Sequence, residues 1–216
     1  FNVNGSSGWN VLINDTSGGI SDLSGHIDGN SNINMFVVNP AGIVFGAGFT
    51  FDLASLVSST LSIDTADFID GDGSYSFSTP GAPAAITVHG LRSLNPGADA
   101  SLIAGAVLID GSMDVEGGNA NIVVADQVTM SYDPNQMIQF DVTAGVQSAV
   151  GSTQGVAIDS AGSITAGNVT IESRVGDAVS LAINHEGVIR AQGIATEGGV
   201  IRLLAPGSRV ESVGTV

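Results

Sequence analysis

The chain has 216 residues and a formal net charge of −16, with no cysteine and no lysine among its five cationic residues. A disulfide scaffold and a thiolate metal site are excluded, and nucleic-acid phosphate would be repelled along most of the length. Apolar residues make up 43% but aromatic ones only 5%, so the interior must be built from thin layers of Val, Ile, Leu and Ala.

Glycine, at 30 residues, is about twofold above its usual share of roughly 7%. Together with abundant Ser, Asn, Asp and Thr this predicts many short strands joined by frequent turns. No apolar run reaches the ~18 residues that a membrane-spanning helix needs. Residues 1–173 carry 17 Asp/Glu against one cation, Arg92, whereas 174–216 carry four of each sign. This acidity reads first as solubility, with cation binding or partner steering as the alternative. The chain begins at Phe1, without Met or a basic-then-apolar leader, which reads as a fragment or mature form.

In chain order, the first signal is GHID at Gly25, followed by the apolar run INMFVV. Phe36 to Gly46 (FVVNPAGIVFG) then places two buried-strand candidates on either side of Asn39-Pro40-Ala41-Gly42. That tetrapeptide fits a type I turn: Asn first, Pro with φ already set second, Gly fourth. Phe51–Leu61 (FDLASLVSSTL) has a possible helical face in Leu53, Leu56, Val57 and Leu61, but its Ser and Thr content and the lack of a cap favour strand. Residues 70–88 and 131–143 carry Pro and Gly between short alternating stretches and are expected to leave the main stack as hairpins or loops.

Gly-x-(Ile/Met)-x recurs at Gly25, Gly111, Gly162 and Gly187, each time ahead of an apolar alternating run. The step from Gly162 to Gly187 is 25 residues and that from Gly111 to Gly162 is 51, close to twice as long. Such a period predicts a solenoid in which each coil buries its apolar side only by stacking on its neighbours. About 25 residues per coil gives eight or nine coils, less whatever lies outside the stack. Open ends would be hazardous strand edges, so a cap is expected.

Little in the sequence points to chemistry. His26, His89 and His185 lie far apart without ligand spacing and read as surface or coil-corner residues. Asp70-Gly71-Asp72-Gly73 opens like a calcium loop but lacks the later ligands and reads as a turn. Asp64 with Asp67, or Asp114 with Glu116, are the acidic pairs that a β-helical polysaccharide-active enzyme would use. The absence of lysine weighs against a lyase-type base, so no catalytic residue, metal site or cofactor is assigned. A stand-alone adhesin or other binding solenoid is the second alternative. An ice-binding face would need a regular Thr-x-Thr ladder, which is missing.

SDLSGHIDG followed by NMFVVNPAGIVFGAGFTFDLASLVSSTLSI resembles the secretion domain of two-partner secretion exoproteins of the filamentous haemagglutinin type. In that family an Asn-Pro-Asn-Gly-Ile motif precedes a Leu-Val-x-Ser-Thr-Leu stretch. Here Asn39, Pro40, Gly42 and Ile43 are kept, then Leu56, Val57, Ser59, Thr60 and Leu61. Ala41 stands where the family pattern has Asn, and no Asn-Pro-Asn-Leu motif occurs. The likeness is strongest over about residues 20–70, with further coils over 146–216.

The resemblance implies a single domain over residues 1–216, all-β, folded as a right-handed parallel β-helix with extra-helical hairpins and an N-terminal cap. It implies a secretion domain of a large exported surface protein. Its partner would be the periplasmic domains of an outer-membrane β-barrel transporter. The domain would transit the periplasm, seed β-helix folding outside the cell, and be a monomer that binds no nucleic acid and spans no membrane. Asn39, Pro40, Ala41, Gly42 and Ile43 would serve as structural turn and recognition element. The family's leader and capping segment are expected before Phe1.

Overall fold

The computed structural model describes residues 1–3, 8–79, 84–132, 138–146, 156–174, 181–192, 199–206 and 208–216. The chain descends in rungs of three short strands, with rung 1 at the top. Rung 1 holds β1 (Asn10–Asn14), β2 (Ser21–Leu23) and β3 (His26–Asp28). Rung 2 holds β4 (Asn34–Val38), β5 (Ile43–Phe45) and β6 (Thr50–Asp52). Rung 3 starts with β7 (Ser55–Ser59), leaves the stack through β8 (Ser62–Ile63), the one-turn helix α1 (Thr65–Ile69) and β9 (Ser74–Ser78), and returns in β10 (Ala85–Ser93).

Rung 4 is β11 (Asp99–Ala104) and the first part of β12 (Ala106–Val124). The end of β12 opens rung 5, which departs through β13 (Gln127–Tyr132) and β14 (Ile138–Ala144) and returns in β15 (Val156–Ser160) and β16 (Ser163–Ser173). The end of β16 with β17 (Leu181–His185) and β18 (Val188–Ala191) makes rung 6, and β19 (Ile201–Leu204) with β20 (Arg209–Ser212) makes rung 7.

Every pairing in this stack is parallel, and the registers define three faces of a parallel β-helix. On the first face Met35, Leu56, Ala100, Ala120, Val169 and Ile201 stand above one another. On the second they are Ile43, Ile86, Val107, Ile158, Ile183 and Val210, and on the third Leu91, Met113, Ile164 and Ile189. Period-two alternation sends these side chains, apart from the exposed Val210 on the last rung, into one continuous core. At the N-terminal end Phe1–Val3 adds a partial strand over β3, with Phe1 O accepting from Asp28 N at 2.9 Å and Val3 N donating to Asp28 O at 2.8 Å.

Phe51–Leu61 is strand, divided between β6 and β7 by a corner at which Leu53 is fully buried. The step from Gly111 to Gly162 is one rung, not two: Met113 pairs directly with Ile164, and the extra chain is the β13–β14 excursion. Gly111, Gly162 and Gly187 form a corner column, in which a Cβ on Gly162 or Gly187 would overlap the carbonyl of the glycine one rung above. Gly25 stands outside it. His26 lines up through Thr50 and Arg92 with Asp114, so Gly25 is two positions out of step. A two-residue offset preserves which side chains face inward, and so leaves the motif looking alike.

The two excursions are larger than the sequence suggests and they meet. Strands β8, β9, β13 and β14 form one antiparallel sheet in the order β14-β13-β9-β8, whereas residues 85–88 already belong to the stack and residues 80–83 and 133–137 lie outside the described set. This sheet covers the outer side of the first face. Phe36, Val57, Ile103 and Val123 pack there with Tyr75, Phe77, Val128, Met130 and Val142 as a second core. The Phe36 ring lies 4.8 Å from Tyr75 and 5.2 Å from Phe68, centroid to centroid.

A polar ladder runs along the start of the first face. Asn10, Asn34, Ser55, Asp99, Asn119 and Asn168 occupy successive rungs. Asn34 Nδ2 donates to Asn10 Oδ1 (3.0 Å), Ser55 Oγ to Asn34 Oδ1 (2.9 Å), Asn119 Nδ2 to Asp99 Oδ1 (2.8 Å) and Asn168 Nδ2 to Asn119 Oδ1 (2.9 Å). The excursion sheet hooks onto it: Asn10 Nδ2 donates to the Tyr75 hydroxyl at 2.6 Å, and the Tyr132 hydroxyl lies 3.3 Å from Ser55 Oγ. Burial raises the Asp99 carboxyl above its ordinary pKa and pushes the Tyr132 phenol up to about 12.

Candidate partner-recognition site

The Asn39–Ile43 corner joins β4 to β5. Asn39 O accepts from Gly42 N at 3.1 Å, closing the turn, and Asn39 Oδ1 accepts from Ala41 N at 2.8 Å. Gly42 has φ +124°, a conformation that L side chains rarely adopt. The turn chemistry legible in the sequence is therefore present, but the Asn39 side chain does more than shape its own turn. Its Nδ2 donates upward into rung 1, to Gly19 O and Ser21 Oγ (both 2.8 Å) and to Asp15 Oδ2 (3.3 Å). Asn39 is fully buried.

Asp15 completes the clamp. It accepts from Ser17 N at 2.9 Å and Ser21 Oγ at 2.7 Å, and these bonds, the backbone one foremost, hold its carboxyl below the usual range. Pro40 and Ala41 are the half-buried members of the corner, Gly42 is buried, and Ile43 is a core residue. Nothing in the sequence marked Asp15, Gly19 and Ser21 as partners of Asn39, because their contact spans two rungs.

Below the corner lies the Leu56–Leu61 stretch. Leu56 faces the main core and Val57 the second core. Ser59 O accepts from Asn39 N at 2.9 Å, while Ser59 Oγ accepts from Leu61 N and donates to Leu61 O, both at 2.9 Å. Thr60 Oγ1 donates to Ala84 O at 2.8 Å. The two segments that carry the family resemblance are thus consecutive corners of one stack.

A family model for the TPS secretion domain matches residues 1–215. The chain belongs to this family. The crystal structure of the HMW1 secretion domain from Haemophilus influenzae is similar in fold, with a TM-score of 0.54 at 20% identity. The match covers 94% of this chain and 66% of that one, so the chain spans about two thirds of that domain's length. No curated protein sequence matches. This TPS secretion domain is accordingly a secretion domain of an exported protein, in a family of targeting rather than catalytic domains. Among its described residues no helix is long and apolar enough to cross a membrane.

Most of the other residues singled out in the sequence have local structural contacts in this secretion domain. Asp64 caps α1 by accepting from Ala66 N at 2.8 Å, and Asp67 accepts from Ser76 N at 2.6 Å. Asp70 and Asp72 each accept from a backbone N–H two residues on, at 3.1 and 2.7 Å. Asp114 lies 3.8 Å from Arg92. His26 Nδ1 sits 2.9 Å from Thr50 Oγ1 and His89 Nδ1 2.7 Å from Asp110. His185, read as a surface or corner residue, is at a corner but fully buried. Among the described residues no group of three or more His, Asp or Glu is arranged to hold a metal ion.

Proposed function

We propose that this secretion domain addresses a large exported surface protein to the periplasmic domains of an outer-membrane β-barrel transporter, then seeds β-helix folding as the chain emerges outside the cell. The carrying observation is the burial of Asn39 in a clamp between rungs 1 and 2. In the folded domain the corner offers a partner only the half-buried Pro40 and Ala41. The chain is therefore read by the transporter before the corner closes, while it crosses the periplasm unfolded. Closure of the clamp outside then lays down the first two rungs on which later ones grow, as nearest-neighbour stacking allows.

The domain acts as a monomer in this scheme and carries no catalytic residue of its own. Two assays on Asn39→Ala test it. Secretion into the medium is expected to fall, and capture of the unfolded chain by the transporter's isolated periplasmic domains is expected to weaken. Wild-type secretion with unchanged capture would remove the corner from recognition. Reduced secretion with unchanged capture would assign it to folding alone.

A further inference from the structure

We propose that the β-helix is two cooperative units, and that rungs 6 and 7 open and close independently of rungs 1–5. This goes beyond export and concerns the folded domain at equilibrium.

One inward column on the second face carries the argument. Phe45, Val88 and Ile109 stand in register with Ser160, His185 and Ser212. The column thus changes from apolar to polar at rung 5. Ser160 and His185 are both fully buried, and among the described residues Ser160 Oγ and His185 Nδ1 have no hydrogen-bond partner. His185 Nε2 has a single contact of 3.3 Å, to Thr215 O. On the first face Ala104 and Val124 give way one rung later, on rung 6, to Ser173, also fully buried with its Oγ unpartnered. Each such group is buried without a protein partner among the described residues, a cost that an apolar side chain in the same column does not carry, and this weakens stacking across that level.

The packing around the core changes at the same level. The second core backs the first face through Phe36, Val57, Ile103 and Val123, that is, from rung 2 to rung 5. On rungs 6 and 7 the corresponding outward residues are Thr170 with Glu172 and Arg202 with Leu204, and Leu204 is 42% exposed. Every aromatic residue lies at or before Phe140, and rung 2 is filled by the Phe45–Phe49 and Phe49–Phe51 pairs at 4.9 and 6.5 Å. In the N-terminal part Asn32 Oδ1 and Ser58 Oγ also lack a partner; Ser58 faces the main core between Val37 and Leu102, on a rung whose outer side the second core covers through Val57.

Hydrogen exchange read by mass spectrometry on the 216-residue chain, with urea stepped below the main transition, tests the inference. Amides of β17 and β18 are expected to open at least about tenfold more readily than those of β4, β7 and β11. Simple fraying would expose rung 1 as readily as rung 6, so β1–β3 opening as fast as β17–β18 would overturn the proposal, as would one common transition. Ser160→Ala removes only an unpartnered hydroxyl, and His185→Leu keeps similar volume without the ring nitrogens. Selective slowing of exchange in β17–β20 by Ser160→Ala is expected whether or not His185→Leu folds. No change in Ser160→Ala would overturn the assignment of the polar column as the boundary.

Discussion

The backbone N–H of Asn39 donates to the carbonyl of Ser59 at 2.9 Å, so two corners 20 residues apart in sequence are hydrogen-bonded neighbours in space. Above that bond the Asn39 carboxamide reaches Gly19 and Ser21. One residue, through its backbone N–H and its side chain, therefore ties three consecutive levels of the stack together.

Asn39→Ala removes these Nδ2 bonds and leaves Ser21 Oγ, Gly19 O and Asp15 facing a cavity. A loss of about 2–3 kcal/mol is expected in urea denaturation. Ala41→Asn, which restores the residue usual in the family, keeps the Ala41 N–H donor to Asn39 and fits the third place of a type I turn. Its stability is expected within about 0.5 kcal/mol of the parent.

Asp99→Asn is expected to stabilise the domain at neutral pH. Burial raises the folded Asp99 carboxyl above its unfolded value of about 3.9. The folded state therefore holds that proton more tightly than the unfolded state. This contribution to stability grows as pH falls through the folded value and is lost as pH rises through it. An asparagine still accepts from Asn119 and extends the polar ladder without charge. A gain of about 1 kcal/mol, or roughly 2–4 °C in thermal midpoint, is expected, with a flatter dependence on pH in the mildly acidic range.

Gly162→Ala drives a Cβ into the Gly111 carbonyl one rung above, and the rigid ladder on both sides gives the backbone no room to move. Destabilisation of about 3 kcal/mol or more is expected. Gly25→Ala meets no atom within 4 Å and is expected to be tolerated. Thermal melts of the two variants separate a glycine required by stacking from one that only shares its sequence motif.

The two tyrosines report on the attachment of the excursion sheet. Burial raises both phenols, Tyr132 to about 12 and Tyr75 with help from Asp72 and Asp70. The unfolded chain loses these protons near pH 10, so stability falls as pH rises above that value. An absorbance titration at tyrosinate wavelengths is expected to show less ionisation at pH 10 than the unfolded chain does, followed by a cooperative rise when the sheet detaches. A simple titration of both groups near pH 10 would show the rings to be solvated.

Much of the fold is legible in the sequence because a solenoid repeats one local problem. Apolar alternation assigns β5, β12 and β16 as strands, Asn-Pro-Ala-Gly supplies its own turn, and the 25-residue step from Gly162 to Gly187 is a true rung. Other features depend on which rung lies next to which. The 51-residue step is one rung because the β13–β14 segment leaves the stack, and no local pattern distinguishes an excursion from an additional coil. The union of that segment with β8 and β9 is likewise non-local, since the apolar outer face of Phe36 and Val57 signals a cover without naming it.

The candidate site divides along the same line. Sequence by itself determined that residues 39–42 turn and that the chain stacks in rungs, because dihedral preference and period-two burial are properties of neighbouring residues. Only the tertiary structure decided that Asn39 is buried against Gly19 and Ser21, that Asp99 is desolvated, and that Ser160 and His185 share an inward column. Those outcomes arise when parallel strands far apart in the chain come into register and water leaves the space between them.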